Sequence, residues 1–386
     1  MIYTSREQQQ LKNRQECIEA SRRVVIKIGS AVLTSGNGVN IEVIDNIARD
    51  INHLYNSGRE VILVSSGAVA AGKKKVRFRN ENKISLKQKQ ALAAIGQSHL
   101  MHIYDTAFAS HNINIAQVLL THADLAHRKR YVNFKNTVFT LLNMGVIPII
   151  NENDTVSTEE LQFGDNDNLG ALVTNLIEGD LFICLTDVDC LYTGNPQTDK
   201  DAEPVYSVTE IDETVEKMAG NSKSILGTGG MQSKIAAAKK VAGGGGASII
   251  GPGKLPGVIR KIFQGELIGT YFQAQRKKLQ GRKQWIAFVL NPRGVLEVDT
   301  GACNAICSAG KSLLPSGVTA VKGSFAAGDS VECHDAFGNV IAVGTVNYRA
   351  EDVRRIKGKN SDTIKEILGY RDSDVLIHRD NLVVLA

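Results

Sequence analysis

Two lysines beside glycine-containing turns are the residues of this chain that could neutralise phosphate groups. Lys27 ends an apolar run and is followed by Gly29 and Ser30, so its ammonium group and the loop amides could converge on an anion. Lys234 closes the segment 227–234, Gly-Thr-Gly-Gly-Met-Gln-Ser-Lys, whose amides and following helix start also favour an anion. This segment is not a Walker A motif, because Lys234 follows a serine and not a glycine. Taken alone, a strand-end lysine could instead extend to solvent, and a glycine-rich segment could be a flexible linker.

A second group of residues could bind a small amino acid. Residues 65–72, Ser-Ser-Gly-Ala-Val-Ala-Ala-Gly, follow an apolar run, and their small side chains would let the backbone approach a carboxylate. Tight packing of a helix on a sheet would select the same residues. Asp154 follows another apolar run and could pair with an α-ammonium group, which a free amino acid has and an N-acylated one lacks. It could equally cap a helix or a turn.

The segment 164–168, Gly-Asp-Asn-Asp-Asn, concentrates acidic and amide side chains. Asn166 offers both a donor and acceptors, as a zwitterionic ligand requires, whereas Asp165 and Asn168 are expected to shape the loop. A calcium loop is the alternative, but the spaced ligands and terminal glutamate of an EF-hand are missing. No metal site is expected from five histidines that share no helical face: His99, His102, His111, His122 and His127.

Short apolar runs alternate with helical patterns in the first 270 residues. The runs lie at 24–28, 61–64, 113–120, 146–150, 181–185 and 247–250. Helices are predicted over Ile41 to Asn56, with a buried stripe that begins at Ile41, over Asn133 to Met144, and after the glycines that precede Lys234. Buried strands that alternate with helices indicate βαβ units and a mainly parallel sheet.

The composition changes near residue 272. Residues 273–284 are basic and polar and lack periodicity, as is typical of a linker. Short alternating runs follow at 285–290, 318–321, 330–333 and 340–346, separated by Gly-Asp and Gly-Asn turns. This pattern predicts a small β-rich domain.

The bulk properties are those of an ordinary globular protein of two or three domains. The chain has 386 residues, 43% hydrophobic and 22% charged, with a formal net charge of +5 that fits anionic substrates as well as nucleic acid. No apolar run reaches the ~20 residues of a spanning helix, and the polar start lacks a secretory h-region, so we expect a cytoplasmic protein. The six cysteines are scattered and are expected to be reduced, structural thiols.

These motifs, in this order, resemble the amino-acid kinase family, and the segments 312–318 and 323–329 resemble a PUA domain. The resemblance covers roughly residues 22 to 380. It implies an α/β fold with an open, mainly parallel sheet sandwiched by helices, followed by a small β-rich PUA-like domain. The domains predicted are an N-terminal extension over 1–21, the catalytic domain over 22–272, a linker over 273–284, and the PUA-like domain with a C-terminal tail over 285–386.

The resemblance is to family members that phosphorylate an amino-acid side chain. It implies ATP-dependent phosphorylation of the side-chain carboxylate of L-glutamate to L-glutamyl 5-phosphate, the first step of proline biosynthesis. Lys27 and Lys234 would be catalytic, with Asp167 organising them, and Ser66, Asp154 and Asn166 would bind the substrate. Mg²⁺ would be bound with the nucleotide and not by a protein cage. The resemblance also implies a homo-oligomer, dimer or tetramer, and feedback inhibition by proline.

The nucleotide contacts follow from the same resemblance. The residues expected to bind ATP are Lys27, Thr186, Asp187, Thr228, Gly229, Gly230, Met231, Gln232, Ser233 and Lys234. Two positions depart from the family pattern, because Cys190 stands in place of a glycine and Asn195 in place of an aspartate. An isolated Thr-Asp pair, as at Thr186, is also common in simple turns.

Two alternatives remain open at this stage. One is another amino-acid or carboxylate kinase of the same fold. The other is an RNA-binding protein acting through the PUA-like domain, which carries a basic cluster: Arg349, Arg354, Arg355, Lys357 and Lys359. Residues 282–386 contain 13 Lys plus Arg against 12 Asp plus Glu, a net charge of +1, and this small excess argues against a surface that tracks phosphates. RNA binding is therefore not favoured.

Overall fold

Buried apolar strands and amphipathic helices build two separate units in the computed structural model of the chain. The structure describes residues 5–35, 38–76, 84–156, 166–220, 230–275 and 281–385. The units are Met1–Lys278 and Leu279–Ala386, and each has its own hydrophobic core. The division falls inside the stretch 273–284, whose composition differs from that of its surroundings.

The first unit contains the longer helices and most strands. Its described helices are α1 (Ser5–Ala20), α2 (Ser30–Leu33), α3 (Ile41–Asn56), α4 (Ala68–Lys75), α5 (Leu86–Ala109), α6 (His122–Ala126), α7 (Arg128–Asn143), α8 (Asn166–Leu176), α9 (Glu213–Met218), α10 (Met231–Gly243) and α11 (Val258–Phe263). Its described strands are β1 (Arg23–Ile28), β2 (Thr34–Ser35), β3 (Gly38–Val39), β4 (Glu60–Val64), β5 (Ile115–Leu120), β6 (Ile147–Glu152), β7 (Leu181–Thr186), β8 (Leu191–Tyr192), β9 (Pro204–Val205), β10 (Ser207–Val208), β11 (Ala247–Pro252) and β12 (Thr270–Phe272).

An eight-stranded sheet organises this unit, in the order β10-β12-β11-β7-β1-β4-β6-β5. All neighbouring pairs are parallel except β11 and β12. Every residue of β6 and β7 is buried, because helices cover both faces, and this explains why the strands read as continuous apolar runs. The carboxyl ends of β7, β1, β4 and β6 therefore lie side by side at one edge, where open α/β sheets hold their ligands.

Two helices of the first unit touch backbone to backbone. A Cβ atom added at Gly72 of α4 would lie 1.9 Å from the carbonyl oxygen of Leu92, and one added at Gly96 of α5 would lie 1.7 Å from that of Ala68. Neither position has room for any side chain. The glycines thus fix the distance between α4, which follows Ser65 and Ser66, and α5, which carries Gln97.

The second unit is β-rich. Its described elements are α12 (Gly281–Phe288), β13 (Gly294–Val298), α13 (Thr300–Cys307), β14 (Val318–Gly323), β15 (Ser330–His334), β16 (Val340–Thr345), α14 (Ala350–Ile356), α15 (Ile364–Leu368) and β17 (Leu382–Val384). The five strands form one sheet in the order β14-β13-β15-β16-β17. The predicted fold class, a mainly parallel sheet flanked by helices followed by a small β-rich domain, is confirmed.

Some predicted elements are wrong. Residues 281–288 form α12, not the end of a linker followed by a strand, and Trp285, Ile286 and Val289 bury one helical face. An apolar run this short cannot distinguish a helix from a strand by periodicity alone. Helix α7 begins at Arg128, five residues before the predicted start, and Ile41 is exposed, because it lies in the first turn of α3.

Two other sequence expectations concern cysteines and membranes. All six cysteines are free thiols in the structure. Over the described ranges, no helix combines the length and the apolar character that crossing a bilayer requires.

Candidate active site

A fully buried carboxylate lies at the centre of the site. Asp167, in the first turn of α8, has no exposed surface, and its Oδ1 accepts a hydrogen bond from the ammonium group of Lys27. Its Oδ2 lies 3.3 Å from Nζ of Lys234 and accepts from Oγ of Ser233 at 2.9 Å. The thiol of Cys184 donates to Oδ1 at 3.3 Å. Four elements, β1, β7, α8 and α10, therefore meet at this carboxylate.

This cluster places two ammonium groups at one carboxylate. Burial alone would raise the pKa of Asp167, but the two lysine ammonium groups and the Ser233 hydroxyl outweigh it and hold the pKa far below its usual range. Asp167 is therefore ionised. Lys27 and Lys234 are only 5% and 6% exposed, so two ammonium groups face one carboxylate in a low-dielectric site. Such a site attracts an anion.

Glycines bring the cluster together. A Cβ atom at Gly170 of α8 would lie 2.6 Å from the ring of Phe182 and 3.4 Å from Cβ of Lys27, so only glycine lets α8 lie this close to β1 and β7. At the end of β1, a Cβ atom at Gly29 would lie 3.2 Å from the carbonyl oxygen of Leu185 and 3.7 Å from Nζ of Lys27. A larger residue at position 29 would crowd the lysine ammonium group.

The start of α10 lies beside the cluster through Ser233 and Lys234. Its N-cap is Gly230, no side chain caps the helix, and its first turn contains no acidic residue. Met231 is half-buried and Gln232 is exposed. These features leave the first amides of the helix available to an anion. Thr228 and Gly229, which were predicted to bind ATP, lie outside the described residues, as does Asp165.

The Thr186–Asp187 pair continues from β7. Oγ1 of Thr186 donates to Oδ1 of Asp187 at 3.0 Å; Thr186 is buried and Asp187 is exposed. The Cα atom of Thr186 would lie 3.9 Å from a Cβ atom at Gly29, so the pair borders the loop after Lys27.

A second network lies on the other side of α8, around Asn166. Its Nδ2 donates to the backbone oxygen of Ser65, to Oγ of Ser66 at 3.1 Å and to Oδ1 of Asn151 at 3.0 Å. These contacts use the amide nitrogen of Asn166, and its predicted role as both donor and acceptor to a ligand stays a prediction. What remains for a ligand is Oδ1, an acceptor. Asn166 and Asp167 are adjacent, so α8 connects the two networks directly.

Asp154 lies after the end of β6 and is half-buried. Burial, together with the nearby carboxylate of Glu152, raises its pKa to about 6, and Lys89 acts in the opposite direction. Among the described residues, no cationic side chain lies within salt-bridge distance of Asp154. The described hydrogen bonds include none between Asp154 and Ser66 or Asn166. A cationic ligand group would stabilise its ionised form.

Sequence reasoning assigned no individual role to four residues of these networks, although the first lies in the predicted segment 65–72: Ser65, Gln97, Asn151 and Cys184. Asn151 directly follows the apolar core of β6 and Ser65 directly follows β4, so their positions at strand ends were available as a signal. Gln97 lies in the middle of α5 and Cys184 in the middle of β7. Nothing in the local sequence distinguishes these two from ordinary helix and strand residues.

The described residues contain no group of three or more His, Cys, Asp or Glu side chains arranged to hold a metal ion. Asp167, the carboxylate between the lysines, already accepts from two ammonium groups, a hydroxyl and a thiol. The donor set of this chain therefore fits a divalent cation that arrives on a ligand's phosphates better than one held by protein side chains.

Comparisons with known proteins cover nearly the whole chain. Residues 22–250 match the sequence profile of the amino acid kinase family, and residues 294–368 match that of the PUA domain. The chain is 56% identical over 373 residues to a glutamate 5-kinase from Desulfotalea psychrophila, covering 97% of this chain and 99% of the relative. It is 47% identical over 374 residues to a glutamate 5-kinase from Syntrophus aciditrophicus, covering 97% of each. An X-ray structure of isopentenyl phosphate kinase shares 18% identity with a TM-score of 0.47, covering 65% of this chain and 100% of that chain.

Proposed function

The chain belongs to the amino acid kinase family, and from this premise we propose that it transfers the γ-phosphoryl group of ATP to the side-chain carboxylate of L-glutamate. The product is L-glutamyl 5-phosphate, and the reaction is the first step of proline biosynthesis. The observation that carries the proposal is the buried Lys27–Asp167–Lys234 cluster, in which two ammonium groups face one carboxylate and which is joined through α8 to the polar network around Asn166.

The chemistry needs charge stabilisation more than proton transfer. A carboxylate oxygen is already a nucleophile, so no general base is required. The barrier lies in bringing two anions together and in spreading charge over the transferred phosphoryl group. Lys27 and Lys234 supply that charge from fixed positions, because Asp167 holds both ammonium groups and burial keeps water away. When bound with ATP, Mg²⁺ would neutralise further phosphate charge; the described side chains contribute no cage to it.

The roles of the other residues follow from their positions. Amides at the start of α10 and the Gly29 loop would bind the phosphates, and the Thr186–Asp187 pair would border the nucleoside. On the acceptor side, Oδ1 of Asn166 and the carboxylate of Asp154 would accept hydrogen bonds from the α-ammonium group of glutamate. Ser66 would hold Asn166 in this orientation and face the substrate.

Proline inhibition and self-association are further parts of the proposal. Proline has the α-carboxylate and the ammonium group of glutamate but lacks the side-chain carboxylate. Groups that recognise the amino-acid backbone would therefore also bind proline, in competition with glutamate. We further propose a cytoplasmic homo-oligomer, a dimer or a tetramer, in line with the resemblance of the whole chain to its family.

RNA binding is not part of the proposal, because most of the basic cluster of the second unit contacts the unit itself. Arg349 donates to Asp352 at 2.8 Å, Arg354 to the carbonyl oxygen of Gly323, and Lys357 to that of Thr319 at 3.1 Å. Arg355 likewise donates to a backbone carbonyl, that of Ile367. These side chains support the fold of the unit.

The test is a comparison of two acceptors. With ATP and Mg²⁺, turnover should depend on L-glutamate and fall by at least ~10²-fold in kcat/KM with N-acetyl-L-glutamate. Acylation removes the ammonium group and leaves the carboxylate of Asp154 without a partner. ADP release measured across both acids decides the point, and equal turnover of the two would contradict the assignment.

A further inference from the structure

A backbone amide fixes which way the side chain of Asn151 points. The N–H of Glu152 donates to Oδ1 of Asn151 at 2.9 Å, and a backbone N–H can only donate. Nδ2 of Asn166 donates to the same Oδ1 at 3.0 Å, and its own orientation is fixed by the backbone oxygen of Ser65, which can only accept. Asn151 therefore directs its amide nitrogen, a donor, away from this pair.

That donor fixes Gln97 in turn. Nδ2 of Asn151 lies 2.8 Å from Oε1 of Gln97, so Oε1 is the acceptor, and a flipped Gln97 would set two donors against each other. The other end of the Gln97 amide is then Nε2 with two N–H groups. Gln97 is only 9% exposed, Nε2 is buried, and it has no hydrogen-bond acceptor in the described ranges of the chain.

A buried amide nitrogen with no protein acceptor is rare in native proteins and calls for an explanation. The hydrogen-bond network runs from Asn166 at the start of α8 through Asn151 to Gln97. It ends at the two N–H groups of Gln97 Nε2, which have no acceptor among the described residues. Groups of this kind occur where a ligand supplies the acceptor. The position of Gln97 is also rigid, because it follows Gly96, where α5 touches the backbone of α4.

The chemistry of an amino-acid substrate leaves one group for these donors. The side-chain carboxylate must lie at Lys27 and Lys234, where the phosphoryl group is transferred. Oδ1 of Asn166 and Asp154 are acceptors and suit the α-ammonium group. The α-carboxylate is the remaining group, and it needs donors.

We propose that Gln97 is a specificity-determining residue whose Nε2 donates to the α-carboxylate of the amino-acid substrate, an inference that rests on the proposed function. It explains why the network around Asn151 has a fixed polarity. The acceptor Asn166 and the donor Gln97 then lie at opposite ends of one hydrogen-bonded chain, matching the two charges of a zwitterion.

The experiment compares L-glutamate with its α-amide, which keeps the side-chain carboxylate and the ammonium group but has a neutral amide in place of the α-carboxylate. It uses the full-length protein and its Gln97→Met, Gln97→Glu and Ser98→Glu variants. Ser98 is exposed and adjacent in sequence, so Ser98→Glu adds the same charge without touching the network. Folding is checked by circular dichroism and thermal unfolding, and kcat and KM are measured for both acceptors and for ATP.

The expected results differ between variants. The wild-type protein should prefer glutamate to the α-amide, and in Gln97→Met this preference should fall by at least ~10-fold, because only glutamate loses a charge-assisted hydrogen bond. The change should lie in the KM for glutamate, with the KM for ATP within about two-fold. In Gln97→Glu the preference should reverse, since the carboxylate repels the α-carboxylate and accepts from the α-amide. Ser98→Glu should keep the wild-type preference.

Two results would overturn the inference. A folded Gln97→Met protein that loses the same factor of kcat/KM for both acceptors would show that Gln97 only supports Asn151. If that variant does not fold, Gln97→Glu still keeps an acceptor for Asn151, and an unchanged preference for glutamate there would also refute the proposal. Absence of glutamate turnover by the wild-type protein would instead refute the proposed function itself, and this inference with it.

Discussion

Each of the two units buries an aspartate, and the two aspartates have opposite surroundings. Asp167 in the first unit faces two buried lysines, whereas Asp352 in the second accepts from exposed Arg349 at 2.8 Å and from the hydroxyl of Tyr370 at 2.6 Å. Burial would raise both pKa values, but the hydrogen-bond and charge partners lower them. Both side chains are therefore ionised.

The difference lies in how many cationic groups contact each carboxylate. At Asp352, one guanidinium group and one neutral hydroxyl close the site with no net charge, so the contact links α14 to the chain around Tyr370. At Asp167, two ammonium groups and one hydroxyl contact a single carboxylate. A buried carboxylate thus marks a binding site when its cations outnumber it, and marks a structural contact when they do not.

The largest effect should come from removing either of the two lysine ammonium groups at Asp167. Lys27→Ala and Lys234→Ala should each lower kcat by ~10²- to 10³-fold, because each removes a preorganised charged donor to the transition state. Lys239→Ala is the matched control on α10; Lys239 is exposed, pairs with Glu216, and its loss should leave kcat within about two-fold. Steady-state assays decide this, and retention of more than about a third of kcat in both active-site variants would contradict the mechanism.

Substitution of the two aspartates should have different effects: a loss of activity at Asp167 and a loss of stability at Asp352. Asp167→Asn should lower kcat by about 10²-fold, because two like-charged lysines lose the group that positions them. Asp352→Asn should keep kcat within about two-fold while the free energy of unfolding falls by roughly 1 to 3 kcal/mol, because the hydrogen bonds of a buried carboxylate are weakened. Turnover and urea unfolding of both proteins measure this. A large kcat loss in Asp352→Asn would break the distinction drawn between the units.

A third carboxylate, Asp154, has no ion-pair partner among the described residues and should respond to pH. Since its pKa is raised to about 6, it is ionised above that pH and protonated below it. The kcat/KM for glutamate should therefore fall about ten-fold per pH unit below pH 6, because a protonated Asp154 no longer attracts the substrate's ammonium group. In Asp154→Asn the value should be low and nearly independent of pH between 5 and 8. An unchanged pH profile in that variant would exclude Asp154 as the titrating group.

The smallest effect should come from removing the second unit. All residues assigned to the reaction lie before residue 273, and the first unit has its own core. A chain that ends near Gln273 should therefore keep kcat within about three-fold if it folds, although its response to proline or its self-association could change. Turnover, proline titration and solution mass, measured together, test this. A folded truncation without turnover would show that the second unit completes the site.

The sequence predicts those parts of the structure that depend on local pattern. Strands β1, β4, β6 and β7 are continuous apolar runs because helices cover both faces of the sheet, and α3 has the predicted bounds because its apolar stripe ends at a Ser-Gly signal. Lys27 and Lys234 meet at Asp167 because Lys27 lies near the carboxyl end of β1, and the first turns of α8 and α10 lie at the same edge of the sheet.

Other parts depend on contacts that no local pattern encodes. The orientation of Asn166 follows from a carbonyl oxygen on a different strand, and the donor at Gln97 follows from a backbone amide on β6. A residue in the middle of a helix, such as Gln97, carries no signal of this kind. In α12, the apolar run is too short for its periodicity to be read.

The glycine pair at positions 72 and 96 has a consequence for how this chain can change over generations. The atoms that an added Cβ would strike belong to the backbone, at Leu92 and Ala68, and not to side chains. No compensating substitution nearby can therefore relieve an alanine at either position. Drift and selection are free to alter the polar residues that these helices carry, but the spacing between the helices is inherited unchanged. New preferences for the phosphoryl acceptor in this lineage would have to arise while the distance between α4 and α5 stays constant.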